Sequence, residues 1–401
     1  MLIELNKELK KSIELLREIG KEYLRPLGIE ADRSSQAIPV DHPFYNLVAQ
    51  TGFMARGIGS TFESGNSEKS TNGRSNNGNS VRNVLMAEEG SYWDRGTLVS
   101  LPGPGLGGPP VMQMGTSQQR ERFMSIFKQR DKPLWAAFAM TEPEAGSDVA
   151  KINTRAIKSE KGWILNGEKM FSSNSSRAEW VVVFATIDPN LGRRGHRAFV
   201  VEKGTPGFDI SRIEQKMGIK AYETASFKLA DCVVDFDNLL GGESYYSSTS
   251  KSGFEGAMST FNATRPIVAA MGVGIARAAY DIAKEFVLNE VPKNSSLRLR
   301  RYREKLQVMQ AKLTHAKLLC LRAAWLLDCN KPNGFEASMA KLYAPPASLS
   351  VVTEASNIVG LENKDKSIYL QKLARDVKAI DIVEGTQQIQ RRVVARNIIV
   401  N

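Results

Sequence analysis

A single glutamate near the carboxyl terminus stands between an apolar segment and a predicted helix start, in the stretch RDVKAIDIVEGTQQIQR at 375–391. A glutamate that an apolar ligand shields from water becomes a useful general base near neutral pH. Gly385 permits close approach to the backbone, and Thr386 is a candidate N-cap. On this pattern alone, Glu384 is either such a base or a loop carboxylate favoured by the adjacent helix dipole.

Two earlier segments combine small residues with hydroxyl groups: FAMTEPEAGSD at 138–148 and KMFSSN at 169–174. The first follows a predicted strand, and its small residues allow the backbone to approach a planar ligand closely. The alternative is a turn capped by Ser147 and Asp148. The second segment could equally be an ordinary strand end, so neither segment alone indicates a function.

The three segments together resemble the acyl-CoA dehydrogenase family. TEPEAGSD is similar to the family's TEP-x-AGSD flavin segment, GEKMFSSN to its G-x-K-x-(W/F)-I-(T/S)-N segment, and RDVKAIDIVEGTQQIQR to the signature that carries its base. The order of helical, β and helical regions matches from about residue 2 to 400. The resemblance implies an α+β fold and an FAD-dependent oxidoreductase that acts on acyl thioesters.

The resemblance also implies roles for the matching positions. Glu384 would remove the α-proton of an acyl thioester while FAD accepts the β-hydride, which gives a 2,3-enoyl thioester. Some relatives carry the base at the position of Thr264, which cannot serve as a base. The implied cofactor contacts are Phe138, Met140, Thr141, Gly146, Ser147, Phe171, Ser172, Ser173, Thr386 and Gln388. The implied substrate contacts are Ser147, Asn262, Arg265 and Gly385.

The chain departs from the family pattern where relatives hold the FAD pyrophosphate and adenine of the neighbouring subunit. In place of Arg-x-Thr-Phe-Gly it has NEVPKN at 289–294, with Glu290 near the expected arginine. A carboxylate repels a pyrophosphate. The Gln-x-x-Gly-Gly segment is replaced by NIVGL at 357–361. Two interpretations remain for the basic residues just downstream, Lys293, Arg298, Arg300 and Arg301. They supply the missing charge, or they form a solvated helix face.

The periodicity of apolar residues predicts a helical domain over 1–134, a β domain over 135–245 and a helical bundle over 246–401. Four short β-rich segments predict strands. The polar stretch 59–80 is predicted to be a mobile loop, and LPGPGLGGPP at 101–110 to be irregular. The predicted helices are 2–24, 43–55, 81–90, 117–129, 254–288, 300–328, 334–357, 367–380 and 386–400. The predicted strands are 163–167, 179–187, 196–203 and 225–234.

Composition limits the classes of protein without naming one. The 401 residues include three cysteines without CxxC spacing and three scattered histidines, so we expect no disulfide framework and no metal site. The amino terminus lacks the apolar core of a signal peptide, no apolar run suggests a membrane span, and a cytoplasmic location is expected. The net charge of +11 favours anionic partners such as coenzyme A, an acidic acyl carrier protein or nucleic acid.

Two other functional classes stay open at the level of sequence. One is a non-catalytic homologue that has lost FAD and acts as a scaffold or partner subunit. The other is a nucleic-acid-binding module that uses the basic run LRLRRYREK at 297–305, a pattern more typical of a solvated helix face. The resemblance favours a homodimer or homotetramer, with an electron-transfer flavoprotein as a possible acceptor and no nucleic-acid partner.

Overall fold

Helices, a β-sheet and further helices follow one another along the chain. The structure is a computed structural model that describes residues 7–56, 79–247 and 252–400. The order of elements confirms the predicted α+β fold class. The domain boundaries at 134/135 and 245/246 remain predictions. Most of the predicted loop 59–80 lies outside the described residues, and its last two positions, Asn79 and Ser80, belong to a helix.

The first helical region is built around a long helix with a kink. The Asp328 carboxylate accepts hydrogen bonds from the N–H groups of Ser80 (2.8 Å) and Val81 (3.0 Å), and these bonds cap the helix from a distant part of the chain. Asp94 interrupts this helix with an extended conformation, φ −166° and ψ 119°. The helices are α1 (Lys7–Ile19), α2 (Arg25–Ser34), α3 (Pro43–Gln50), α4 (Phe53–Arg56), α5 (Asn79–Ser100), α6 (Gly108–Met114) and α7 (Ser117–Ser125), with a π-helical turn (Gly20–Leu24) between the first two.

The segment 101–110 is more ordered than predicted. A 3-10 turn spans Gly105–Gly107, and α6 begins at Gly108. Pro109 and Pro110 stand in the first turn of α6, where a missing N–H breaks no helical hydrogen bond. The prediction of irregular structure was therefore wrong for the second half of this segment.

Seven strands of the described chain form one sheet in the order β1-β4-β2-β3-β7-β6, with β5 paired to β4. Most pairs are antiparallel, and β4 pairs in parallel with both β1 and β2. The four predicted strands correspond to β3, β4, β5 and β7, and β1 is the strand expected before the segment that begins at Phe138. Strands β2 and β6 were not predicted, because β2 is short and charged and β6 is largely exposed. The strands are β1 (Ala136–Ala139), β2 (Arg155–Ser159), β3 (Gly162–Ser173), β4 (Trp180–Thr186), β5 (His196–Glu202), β6 (Phe208–Ile213) and β7 (Thr224–Val234).

The second helical region is a bundle in which α9 packs against α5, α10 and α11. By its length and composition alone, helix α9 is long and apolar enough to cross a membrane, contrary to the expectation that no such run exists. However, 78% of its most apolar window is buried inside the protein, as in the core helix of a soluble bundle. The helices are α8 (Gly242–Tyr246), α9 (Gly253–Asn289), α10 (Ser296–Asp328), α11 (Gly334–Val359), α12 (Lys364–Ile382) and α13 (Gln387–Val400).

Candidate active site

Glu384 lies in the short turn that joins α12 to α13. Its φ is 56° and that of Gly385 is 101°, both in the left-handed region. For a glutamate this conformation costs roughly 1–2 kcal/mol, so the surroundings must impose it. The φ of Gly385 favours glycine at this position, and an added Cβ would also lie 2.5 Å from the Gln390 side-chain nitrogen.

Side chains from three helices hold the two carbonyl groups of this turn. Arg265 Nε on α9 donates to the Glu384 carbonyl at 3.2 Å, and Lys341 Nζ on α11 donates to the Gly385 carbonyl at 3.2 Å. Gln390 Nε2 on α13 donates to both, at 3.3 and 3.2 Å. These bonds fix the backbone at Glu384 and hence the position from which its carboxylate extends.

The two carboxylate oxygens of Glu384 have different surroundings. Oε2 accepts a hydrogen bond from Thr264 Oγ1 at 2.9 Å. Oε1 is buried and has no hydrogen-bond partner among the described residues. Burial raises the pKa of Glu384 to about 7, although Thr264, Arg265 and Lys341 act to lower it. A carboxylate with one free oxygen and this pKa is suited to accept a proton near neutrality.

The two segments expected to contact the cofactor lie side by side. Ser172 Oγ donates to the Phe138 carbonyl at 2.9 Å, and the Met170 N–H donates to the Thr141 carbonyl at 2.9 Å. The end of β3 is thereby tied to the segment that follows β1. Thr141 and Ser173 are partly exposed, and Gly146 and Ser147 are exposed.

Phe171 gives this surface an open apolar face. Its side chain is 58% exposed, and its φ of 57° is uncommon for a bulky residue. A Cβ added at Gly146 would meet no atom within 4 Å, so the backbone is open to a ligand there. Met140 is buried in the core and the Ser172 hydroxyl bonds to the backbone, so these two predicted contacts present no free side chain.

Contacts between aromatic rings connect this surface to the glutamate. The Phe138 ring lies 5.8 Å from that of Phe261 in an edge-to-face arrangement. Phe261 stands one turn before Thr264 on α9, and Thr264 holds the Glu384 carboxylate. Within the same stretch of α9, Arg265 Nη1 donates to Asn262 Oδ1 at 2.9 Å. The β-domain segment and the base therefore flank one stretch of α9.

The remaining predicted cofactor contacts follow the base in sequence. Thr386 is partly exposed, and its carbonyl accepts the Gln390 N–H at 3.0 Å in the first turn of α13. The Gln388 side chain is exposed. Both therefore have surface available to a ligand, and their cofactor contacts remain predictions.

A buried ion pair shapes the turn of the TEPEAGSD segment. Lys169 Nζ lies 2.6 Å from Glu142 Oε1, and both side chains are buried. The Glu142 carboxylate also accepts the N–H groups of Asn153 (2.5 Å) and Thr154 (3.0 Å). Burial lowers the pKa of Lys169 to about 8, against the raising effect of Glu142. This glutamate and lysine of the two motifs therefore hold the loop in shape.

Sequence reasoning missed three side chains near the base. Lys341 is fully buried, and burial lowers its pKa to about 8 although Glu384 raises it. Gln390 holds the turn, and Arg95 on α5 is one of the cations that lower the pKa of Glu384. Lys341 could have been found, because a lysine within the apolar stretch of α11 is unusual. No pattern in the sequence marks Arg95.

The open apolar face of Phe171, the uncovered backbone at Gly146 and the nearby hydroxyls fit a planar flavin ring. Glu384, whose Oε1 has no partner among the described residues, and this surface both adjoin the stretch of α9 from Phe261 to Thr264. A β domain joined to a helical bundle, with a flavin surface and a carboxylate base, defines a class of flavin-dependent oxidoreductases.

The chain belongs to the acyl-CoA dehydrogenase family. The family's middle domain matches residues 137–232 and its C-terminal domain matches residues 251–399. Membership confirms the prediction of an oxidoreductase that is a flavoprotein with FAD as its cofactor.

Named relatives include both reductases and dehydrogenases. The chain is 31% identical to acryloyl-CoA reductase (NADH) of Anaerotignum propionicum, an alignment that covers 97% of this chain and 95% of that one. It is also 31% identical to 3-(aryl)acrylate reductase of Clostridium sporogenes, over 96% and 97% of the two chains. Butyryl-CoA dehydrogenase from Megasphaera elsdenii has a similar structure, with a TM-score of 0.85, 30% identity and full coverage of both chains. Two of these relatives are named for acyl-CoA thioesters and one for an arylacrylate.

The two departures from the family pattern lie near a groove of about 1030 Å³. Glu290 forms a salt bridge with Lys366 at 2.5 Å and accepts a hydrogen bond from Asn363 at 3.0 Å, so its charge is already compensated. The groove is lined by residues of α10 and α11, including Asn357. The basic residues that line it are Arg298, Arg301, Lys305 and Lys312.

Proposed function

We propose that this protein catalyses the α,β-dehydrogenation of an acyl thioester with Glu384 as the base. FAD supplies a hydride acceptor for the β-hydrogen. The product would be a 2,3-enoyl thioester. The observation that carries the proposal is the Glu384 carboxylate, held in a strained turn with its Oε1 buried and without a partner in the described parts of the chain.

The surroundings of Glu384 suit the removal of a proton from carbon. An α-C–H of a thioester is a weak acid, so a base with an ordinary glutamate pKa would be too weak. The pKa of about 7, raised by burial, makes this carboxylate a stronger base that is still partly ionised at neutral pH. The Thr264 hydroxyl occupies Oε2 and leaves Oε1 for the proton.

The thioester carbonyl needs a hydrogen-bond donor as negative charge develops on it. We expect the Gly385 N–H to serve, because the turn holds this amide in a fixed position beside the base. Four hydrogen bonds to the carbonyls of Glu384 and Gly385 support that rigidity. Through its bonds to Asn262 and the turn, Arg265 positions the base, and its contact with the substrate remains a prediction.

The same site would also catalyse the reverse reaction. A glutamate with a pKa near 7 is present in both protonation states at neutral pH, so it can donate a proton to Cα as well as accept one. The names of two relatives are those of reductases. Reduction of an enoyl thioester is therefore the second candidate, and the electron partner decides between the two directions.

For the other half of FAD, we propose that the groove beside α10 and α11 receives the pyrophosphate or adenine bound to a neighbouring subunit. Its four cations could replace the arginine that the family carries near Glu290. The arrangement requires at least a homodimer. In this proposal the acyl group is carried on coenzyme A or on an acyl carrier protein, and an electron-transfer flavoprotein is one candidate electron acceptor.

Flavin content and flavin bleaching test the proposal. The purified protein should be yellow, and anaerobic addition of acyl-CoA should bleach the absorbance of oxidised flavin. Glu384→Gln should bind FAD yet reduce it at least about 10²- to 10⁴-fold more slowly. Glu121→Gln, a matched change at an exposed glutamate of α7, should behave like the parent.

Two results would contradict this assignment. Parental rates of bleaching in flavin-loaded Glu384→Gln would remove the glutamate from the role of base. A colourless protein that takes up no added FAD would favour the non-catalytic homologue. Enoyl-CoA mixed with photoreduced enzyme tests the reverse direction, because reoxidation of the flavin reports reduction of the double bond.

A further inference from the structure

Arg95 is a buried cation that forms no ion pair with a described residue. It is 5% exposed, its Nη1 donates to the Tyr222 hydroxyl at 3.1 Å, and its Nε is buried without a hydrogen-bond partner. A guanidinium remains charged in a protein, and burial of an uncompensated charge costs several kcal/mol. Such a group is retained where an anion arrives to neutralise it.

The adjacent aspartate does not neutralise this arginine. The extended conformation of Asp94 at the kink of α5 directs its carboxylate to Lys372 Nζ, at 2.5 Å, and to the Thr97 N–H, at 2.7 Å. The other acidic residue of this cluster, Asp376, is bound to the same lysine at 2.5 Å. Both carboxylates are therefore committed elsewhere.

A second cation also contacts Tyr222, the tyrosine to which Arg95 donates. Lys216 Nζ is 3.5 Å from the centre of the Tyr222 ring. Burial acts to raise the pKa of Tyr222, yet Arg95 and Lys216 lower it to about 8. The direction of this shift marks the surroundings of the phenol as electropositive.

This electropositive cluster is adjacent to the candidate active site. Tyr222 stands two residues before Thr224, which pairs with Ser173 at the end of β3, and the Asn174 N–H donates to the Glu223 carbonyl at 2.9 Å. The tyrosine is therefore next to the segment expected to contact the flavin. Arg95 acts on Glu384 as well, where it is one of the cations that oppose the effect of burial. Arg95 on α5 is therefore linked to the cofactor surface through Tyr222, and its charge acts on the base.

We propose that the acyl group of the substrate carries a carboxylate at the end remote from the thioester, and that Arg95, positioned by Tyr222, binds this carboxylate. The inference rests on the proposed function and narrows its substrate to thioesters of dicarboxylic acids. The reaction itself is unchanged, since the α-proton passes to Glu384, the β-hydride to FAD, and the remote carboxylate takes no part.

Pairs of substrates with equal chain length test the proposal on the holoenzyme. Flavin bleaching at pH 8 is measured with glutaryl-CoA against pentanoyl-CoA, and with adipyl-CoA against hexanoyl-CoA. The parent should favour the dicarboxylic member of at least one pair by about tenfold or more in the second-order rate constant, because a buried guanidinium and a carboxylate form a strong charge-assisted bond. Arg95→Met should lose this preference, with the rate on the dicarboxylic member falling about 100-fold.

Two further variants separate binding from folding. Arg95→Lys keeps the charge and should retain part of the preference. Arg197→Met removes another partly buried arginine that lies 4.3 Å from a tyrosine ring, that of Tyr246, and should leave the preference unchanged. If Arg95→Met does not fold, the substrate pairs on the parent and on Arg95→Lys still decide.

The outcomes distinguish this inference from the function on which it rests. If no thioester bleaches the flavin, the proposed function fails as well. If the monocarboxylic members bleach it as fast as or faster than the dicarboxylic ones, the dehydrogenase stands and the substrate class is wrong. If Arg95→Met slows both members of a pair equally, the arginine is structural and its assignment is overturned.

Discussion

At the scale of single residues, the pKa of Glu384 reflects a balance between burial, which raises it, and the Thr264 hydrogen bond, which lowers it. The neighbouring cations Arg265 and Lys341 also lower it. None of these groups is close to Glu384 in sequence. The strength of the base is therefore adjustable by changes on α9 and α11 that leave the glutamate itself in place.

Thr264→Val should move the acidic limb of the activity profile to higher pH. The parent needs the ionised glutamate, so kcat/KM should rise with pH through about 7. Loss of the hydrogen bond to its carboxylate should raise the pKa of Glu384 by about one pH unit. Thr260→Val is the control, because that hydroxyl donates to the Gly256 carbonyl instead, at 3.0 Å. A limb that stays in place or moves to lower pH in Thr264→Val would contradict the role of this hydrogen bond.

The same raised pKa predicts a cost in stability. The folded state favours the protonated glutamate, so this stabilisation is complete below the ordinary pKa near 4.5 and is lost as pH rises through about 7. Glu384→Gln abolishes that dependence. Between pH 5 and pH 8 the parent should lose about 1–3 kcal/mol of unfolding free energy relative to the variant. Urea unfolding at both pH values, with equal FAD saturation, measures the difference, and parallel pH curves would exclude a raised pKa.

At the scale of elements, a buried triad joins α5, α12 and the loop before β7. Lys372 lies 2.5 Å from both Asp94 and Asp376, and the second carboxylate also accepts the Ile219 N–H at 2.5 Å. The triad therefore links both helical regions to the β domain. It also holds the kink from which Arg95 extends.

Lys372→Met should destabilise the protein by about 3–5 kcal/mol, because two buried carboxylates would then face each other without a cation. Lys378→Met, on the same helix, removes only an exposed pair with Asp381 at 3.2 Å and should cost less than about 1 kcal/mol. Chemical denaturation compares the two variants. Equal effects would show that the triad makes no special contribution.

At the scale of the whole molecule, the groove beside α10 and α11 bears on assembly and cofactor affinity. Two of its cations are paired with glutamates, Arg298 with Glu362 and Lys305 with Glu354. Arg301 is exposed and forms no salt bridge with a described residue. It is therefore the groove residue best placed to receive a phosphate.

Arg301→Ala should weaken FAD binding by about tenfold, the effect of losing roughly 1.4 kcal/mol of charge interaction. Arg303→Ala is the control, because it removes the same charge from the same helix without altering a residue that lines the groove. FAD titration of the apoprotein gives both dissociation constants. Equal affinities would place the FAD phosphates elsewhere.

The sequence by itself determined the order of the elements and the position of the candidate base. The bundle helices were predicted to within a few residues, because their apolar periodicity is a local property. The three motifs are also local in sequence, and TEPEAGSD combines a residue that holds the loop, Glu142, with one that is open to a ligand, Gly146. The strands β2 and β6 were missed because strand pairing, and not apolar alternation, stabilises them.

Only the tertiary structure decided the electrostatics of the site. Thr264 and Glu384 are 120 residues apart, and Arg95 lies still further from the base in sequence. A pKa depends on burial and on charges nearby in space, and neither is encoded by spacing along the chain. For the same reason, no pattern in the sequence indicated that Glu290 is neutralised by Lys366 or that Arg95 is buried without an ion pair to a described residue. Such features arise when distant segments pack together, because packing determines which charges are removed from water and which partners remain within reach.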